Sequence, residues 1–255
     1  MGRYETTAAE LEPVAQAVVE QAAVSFDDDV LDLACGTGNA ALLAAARGAR
    51  VLGVDAAPRL LDVARTRARS RGVELDVREG DLLALPVEDN AVDVVLSVFG
   101  VIFAAEPARA VREIARVVRP SGRVLLSAWL PAGPIHGMFG ALGRILSRVT
   151  PTLPREQFEW SDPAAVRDIA RGAGLDLEAT TAGQLTIRAA SPEAYVKAGQ
   201  DDHPMGLAVR PVLQRAGVEA EVTQAMTAVL HAANEAPGAL LLHSPYVVHV
   251  LRPPS

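Results

Sequence analysis

The sequence predicts a doubly wound α/β fold, a mostly parallel sheet with helices on both faces. Three observations carry this. Short apolar runs alternate with helical periodicity over residues 30–130. The runs are continuous instead of alternating, as strands covered on both faces require. Glycine-rich or acidic turns close several of the runs.

Leu11, Val14, Ala15, Val18 and Ala22 recur at helical spacing, so residues 8–24 read as an amphipathic helix that Asp27–Asp29 break. Residues 30–34 form a first apolar strand running into Gly36-Thr37-Gly38. Residues 39–46 form the next helix, and Gly48 closes it. Residues 51–54 are a second strand ending at Asp55. Pro58 opens a helix whose apolar face is Leu60, Leu61, Ala64 and Ala68. Residues 74–78 read as an edge strand that ends at Gly80-Asp81, and 92–98 as a fully apolar strand. A helix over 107–118 turns its Val111, Ile114, Ala115 and Val118 inward. Pro120-Ser121-Gly122 reads as a turn before a fifth strand, 123–129.

The texture changes at Pro131, Gly133 and Pro134. An apolar helix follows over 135–149, another from Asp162-Pro163 to 173, and strand character over 175–187. Helices at 192–200 and 206–233 precede 240–251, read as a strand pair or one strand bent at Pro245. The expected organisation is a ligand-binding core, 1–130, and a region of helical cap and sheet-completing strands, 131–255.

Half of the 255 residues are apolar, enough for a large core. The net charge of −7 disfavours phosphate-backbone binding, so no nucleic-acid partner is expected. Arg65, Arg67, Arg69 and Arg71 are spaced by two, which scatters them around a helix, and they read as a solvated face. A single cysteine, Cys35, excludes an intrachain disulfide and a cysteine metal cluster, and no histidine–carboxylate grouping has metal spacing. Lys197 is the only lysine, an arginine bias that suggests a GC-rich, bacterial source. The polar N-terminus and the absence of a long apolar run predict a cytoplasmic chain without a membrane partner.

In doubly wound sheets, ligands bind at the carboxyl ends of the strands. Asp32-Leu33-Ala34-Cys35-Gly36-Thr37-Gly38 lies at one such end, where glycines allow close backbone approach and a helix N-terminus follows. Asp55, at the end of the second strand, can accept two ribose hydroxyls. Both features suit a dinucleotide equally well. Glu79-Gly80-Asp81-Leu82 discriminates better, since an acid beside an apolar residue can hold the amine and face of an adenine.

The segment 30–39, Asp55, Gly80-Asp81-Leu82, Asp93–Ser97 and Arg119-Pro120-Ser121-Gly122-Arg123 together resemble, in order and spacing, the motifs of class I S-adenosylmethionine-dependent methyltransferases. Their ubiquinone/menaquinone-type small-molecule branch is the most similar. Ser121 departs from the family's usual glycine. The resemblance implies a Rossmann-like core and S-adenosylmethionine as cofactor. Asp32, Ala34 and Gly36 would lie at its methionine end, Asp55 on the ribose, and Ala56, Asp81 and Leu82 at the adenine. Ser97 would offer its backbone near the sulfur, and Tyr4 would close over the cofactor. Methyl transfer to oxygen, nitrogen or carbon of a small hydrophobic or aromatic molecule is expected. Phe99, Phe103, Trp129, His136 and Phe139 are the candidate acceptor pocket, and His136, His203 and His243 the candidate bases. Two alternatives stay open. One is an NAD(P)-dependent oxidoreductase, although no Tyr-x-x-x-Lys pair is present. The other is a non-methylating protein on the same fold, a partner subunit or a cyclase.

Overall fold

The computed structural model describes residues 9–150 and 158–254. In chain order the elements are α1 (Glu12–Gln21), β1 (Asp29–Leu33), α2 (Asn39–Ala45), β2 (Arg50–Asp55), α3 (Pro58–Arg71), β3 (Asp76–Glu79) and β4 (Val92–Ser97). There follow α4 (Pro107–Val117), β5 (Val118–Trp129), α5 (Pro134–Val149), α6 (Pro163–Gly172) and β6 (Asp176–Ala189). The chain ends with α7 (Pro192–Asp202), α8 (Pro204–Ala216), α9 (Glu219–Ala233) and β7 (Leu240–Arg252). The sheet order is β3-β2-β1-β4-β5-β7-β6, and β7 is antiparallel. This is the α/β Rossmann-like sheet expected. Strands β1 to β5 pair in parallel, and the order reverses between β1 and β4. That reversal creates a crevice at the carboxyl ends of the strands.

By contacts the chain forms two compact units. Among the described residues, the first comprises 11–128, 158–183 and 247–254. Its core is built on β1 and β4, where Val30, Leu31, Leu33, Val94, Val95 and Leu96 are buried. The second comprises 9–10, 129–150 and 184–246. Within it α9 packs on α5, and a Cβ at Gly137 would lie 3.2 Å from the Val229 side chain.

Several boundaries differ from the periodicity. The first helix is shorter than 8–24, because Pro13 starts a new turn after a break at Leu11. The helix expected over 206–233 is two helices, since Gly217 adopts φ 67 and caps α8. Pro120-Ser121-Gly122 is no turn between elements but part of β5, and the β4–β5 register shifts between Val92 and Val94 to accommodate it. A Cβ at Gly122 would lie 2.8 Å from the Asp93 carbonyl oxygen, so the strands close tightly there. β7 is one strand, and the Pro245 carbonyl accepts the Leu130 N–H at 3.0 Å. Among the described residues no helix is long and apolar enough to cross a membrane, and no group of side chains could hold a metal ion.

His249 ties β7 to the rest of its unit. It is 1% exposed, its Nδ1 bonds Thr180 Oγ1 at 2.8 Å, and its Nε2 bonds the Trp160 carbonyl at 2.9 Å. Burial lowers its pKa. The unfolded chain therefore takes up a proton before the folded one, and this contribution to stability is present at neutral pH and lost as pH falls below the ordinary imidazole range. His249→Leu should cost roughly 1–3 kcal/mol in urea unfolding at neutral pH, because it leaves the buried Trp160 carbonyl and the half-buried Thr180 hydroxyl without their partner. It should also flatten the decline of wild-type stability toward acid pH.

Candidate functional site

The tips of β1, β2 and β4 meet in the first unit, and most of the residues singled out from the sequence lie there. Asp32 is 2% exposed, and its Oδ2 accepts the Ala41 N–H of α2 at 2.9 Å. Burial, against the pull of that N–H, pushes its carboxyl up to about 7, with nearby Asp55 adding to the shift. The chain then turns through Ala34 (φ 50), Gly36 (φ 55) and Gly38 (φ 82). The left-handed conformation at Gly38 suits glycine, and a Cβ there would press on Ala64 at 3.3 Å.

Asp55 holds this turn from β2. Its Oδ2 accepts the Gly36 N–H and its Oδ1 the Ala57 N–H, both at 2.8 Å. Burial raises its pKa against these two bonds. Both oxygens thus have a backbone donor. A carboxylate has about four acceptor sites, so capacity remains for hydroxyls. Ala56 is exposed beside it.

The tip of β3 adjoins β2. The Gly80 N–H donates to the Asp55 carbonyl at 3.1 Å, and a Cβ on Gly80 would come within 2.8 Å of Val54 Cγ1. The exposed Asp81 shapes its own turn, Oδ1 accepting the Leu83 N–H at 2.9 Å, and Leu82 is half-buried. Asp55 and Asp81 thus stand on neighbouring strand tips.

The turn after β4 is strained and latched. Phe99 has φ 55, which is unusual for a bulky side chain. Its N–H donates to Ser127 Oγ at 2.9 Å. The fully buried Ser97 accepts the Val101 N–H at 2.9 Å and donates to the Leu33 carbonyl at 3.3 Å. A Cβ at Gly100 would meet Ala34 Cβ at 2.6 Å, so the turns after β1 and β4 are in contact. Phe99 is buried, whereas Phe103, on a 3₁₀ turn, is 49% exposed.

The remaining described candidates belong to the second unit. Trp129 is buried at the end of β5, and His136 and Phe139 are half-buried on α5; all three belong to the second unit. His203 caps α8, its Nδ1 accepting the Met205 N–H at 3.2 Å, and burial lowers its pKa to about 4. His243 Nδ1 bonds Glu235 at 2.8 Å. Tyr4 lies outside the described residues.

Sequence reasoning missed two contributors. Ser127 is one. The other is Arg67, whose NH1 reaches the Thr37 carbonyl at 2.9 Å, Thr37 Oγ1 at 2.9 Å and Asn39 Oδ1 at 2.7 Å. Arg65 also bonds the Val77 carbonyl. The arginine run is therefore not a wholly solvated face. Its spacing held no signal for partners 28–30 residues away.

A family model described as "Methyltransferase domain" matches residues 31–126. An uncharacterized protein of Mycobacterium tuberculosis is 35% identical over 191 residues, 73% of this chain and 68% of that protein. A demethylmenaquinone methyltransferase of Thermus thermophilus is 42% identical over 127 residues, 49% of this chain and 57% of that protein. The solved structure of YcgJ from Bacillus subtilis aligns with a TM-score of 0.62 at 19% identity, over 94% of this chain and 98% of that one, a likeness of fold.

Asp55→Ala leaves the Gly36 and Ala57 N–H groups without their acceptor. Urea unfolding should report a loss of roughly 1–3 kcal/mol. Asp55→Asn keeps one acceptor oxygen and should lose less.

Proposed function

The chain belongs to the class I S-adenosylmethionine-dependent methyltransferases, and from that premise we propose that it methylates a small apolar or aromatic molecule, with the cofactor held across the tips of β1, β2 and β3. Its cofactor is S-adenosylmethionine, so the nicotinamide alternative left open by Gly36, Gly38 and Asp55 falls away.

The observation that carries the placement is the pair of acids at one glycine turn. Asp32 is buried and Asp55 half-buried beside it, both with raised pKa and with backbone N–H groups as their hydrogen-bond donors. Such a site favours a ligand that brings positive charge and hydroxyls. S-adenosylmethionine has an ammonium, a sulfonium and a ribose diol, and the residues present fit it. In this reading Asp32, Ala34 and Gly36 receive the amino-acid end, and Asp55 takes the ribose hydroxyls on its remaining lone pairs. Ala56, Asp81 and Leu82 flank the adenine, and Ser97 with its turn faces the sulfur. When bound, the cofactor supplies a methyl group already electrophilic enough to be attacked. The protein's part is to orient the acceptor and exclude water.

Two observations support an apolar acceptor. Phe103 exposes its ring beside the turn after β4, and the Phe99 backbone is held in one conformation there. The Thermus relative, named a demethylmenaquinone methyltransferase, points toward a ring acceptor. Incubation with S-adenosylmethionine and a panel of hydroxylated aromatic compounds and reduced quinones, read by mass spectrometry, tests this. Cofactor binding with no methylated product across the panel would overturn the acceptor class.

The raised pKa of Asp32 has a directional consequence. Below pH 7 the carboxyl is largely protonated, and a cationic ligand favours its ionised form, so binding should release a proton. Affinity for S-adenosylmethionine should rise as pH climbs through about 7. Calorimetry in buffers of different ionisation enthalpy should detect that proton, and Asp32→Asn should abolish both effects. Asp55→Ala should weaken binding by about 1–3 kcal/mol through unpaired ribose hydroxyls, and an unchanged affinity would remove Asp55 from the ribose.

A further inference from the structure

Arg67 lies on α3, away from the tips of the strands, yet one of its guanidinium nitrogens spans the whole exit of the glycine turn. NH1 donates to the Thr37 carbonyl, the Thr37 hydroxyl and the Asn39 side-chain oxygen. Thr37 is 2% exposed and Arg67 is half-buried, so these charge-assisted bonds are partly shielded from water. Gly38, the N-cap of α2, has no side chain to cap the helix. The turn is thus gripped on one side by Asp55 at Gly36 and on the other by Arg67 at Thr37 and Asn39.

We propose that Arg67 is a positioning residue for the amino-acid end of the cofactor: it sets the path of the turn from Thr37 to Asn39 and so the direction of the N–H groups that open α2. This rests on the placement of S-adenosylmethionine proposed above. The nucleoside half is assigned to Asp55, Ala56, Asp81 and Leu82, whereas the bonds of Arg67 to the turn fall at Thr37 and Asn39. The effect of Arg67 is therefore selective. It acts on a ligand with an amino-acid tail and spares one without.

The test compares two ligands that share a nucleoside. S-adenosylhomocysteine has the amino-acid tail and 5′-methylthioadenosine lacks it. Calorimetry on Arg67→Ala should show binding of S-adenosylhomocysteine weakened about tenfold, the scale of one charge-assisted hydrogen bond, with methylthioadenosine unchanged. Arg67→Lys returns a cationic donor and should recover most of the loss. An equal loss for both ligands would mean a merely structural role and would overturn the proposal, as would no loss for either. If the unaltered chain binds methylthioadenosine but not S-adenosylhomocysteine, the positioning role fails while the nucleoside placement stands. If it binds neither, the cofactor placement itself falls. Thermal unfolding of each variant, run alongside, separates a misfolded chain from a selective change in binding.

Discussion

The carboxylate of Asp55 is the tie on which the site depends. Its two 2.8 Å bonds join the tip of β2 to the turn after β1 and to the start of α3. The Asp55 backbone carbonyl meanwhile receives the Gly80 N–H from the tip of β3. One residue therefore gathers three strand ends through main-chain donors. Backbone N–H groups in a buried turn must find acceptors, and here one acid accepts two of them while keeping lone pairs for a ligand.

The sheet treats acids at its two ends differently, and the difference separates scaffold from site. At the amino ends, Asp28, Asp29 and Asp93 meet arginines. Arg123 bonds Asp28, Arg50 bonds Asp29, and Arg119 bridges Asp29 and Asp93. Those partners help hold the carboxyls of Asp28 and Asp29 below the usual range. At the carboxyl ends, Asp32 and Asp55 have backbone amides for donors, and burial raises both. Charge is neutralised by arginines at one end and met by main-chain donors at the other. Perturbed acids with no cationic partner among the described residues, gathered at a switch point, support the cofactor placement proposed above.

The second turn of the site is held by hydroxyls. Ser97 and Ser127 are fully buried, and each accepts a main-chain N–H from the strained segment after β4. Backbone strain of this kind persists only where the surroundings enforce it. The close approach of Gly100 to Ala34 couples this segment to the turn after β1. The two turns that flank the switch point are therefore packed directly against each other.

Read alone, the sequence determined the alternation of strands and helices, the parallel core, the glycine turn and the acids at the strand tips. Those features follow from local periodicity and from residues that only certain backbones accept, such as Gly38 at φ 82. It also carried the ordered motifs that mark the family. The tertiary structure alone decided that Pro120 to Gly122 lie within a strand, where they fill the shift in register between the Val92–Val118 and Val94–Arg123 pairs. It decided that Arg67 grips a turn some thirty residues away, and that Asp55 holds that turn before it holds any ligand. A hydrogen bond between residues distant in sequence depends on where the fold places their backbones, and no local spacing encodes that.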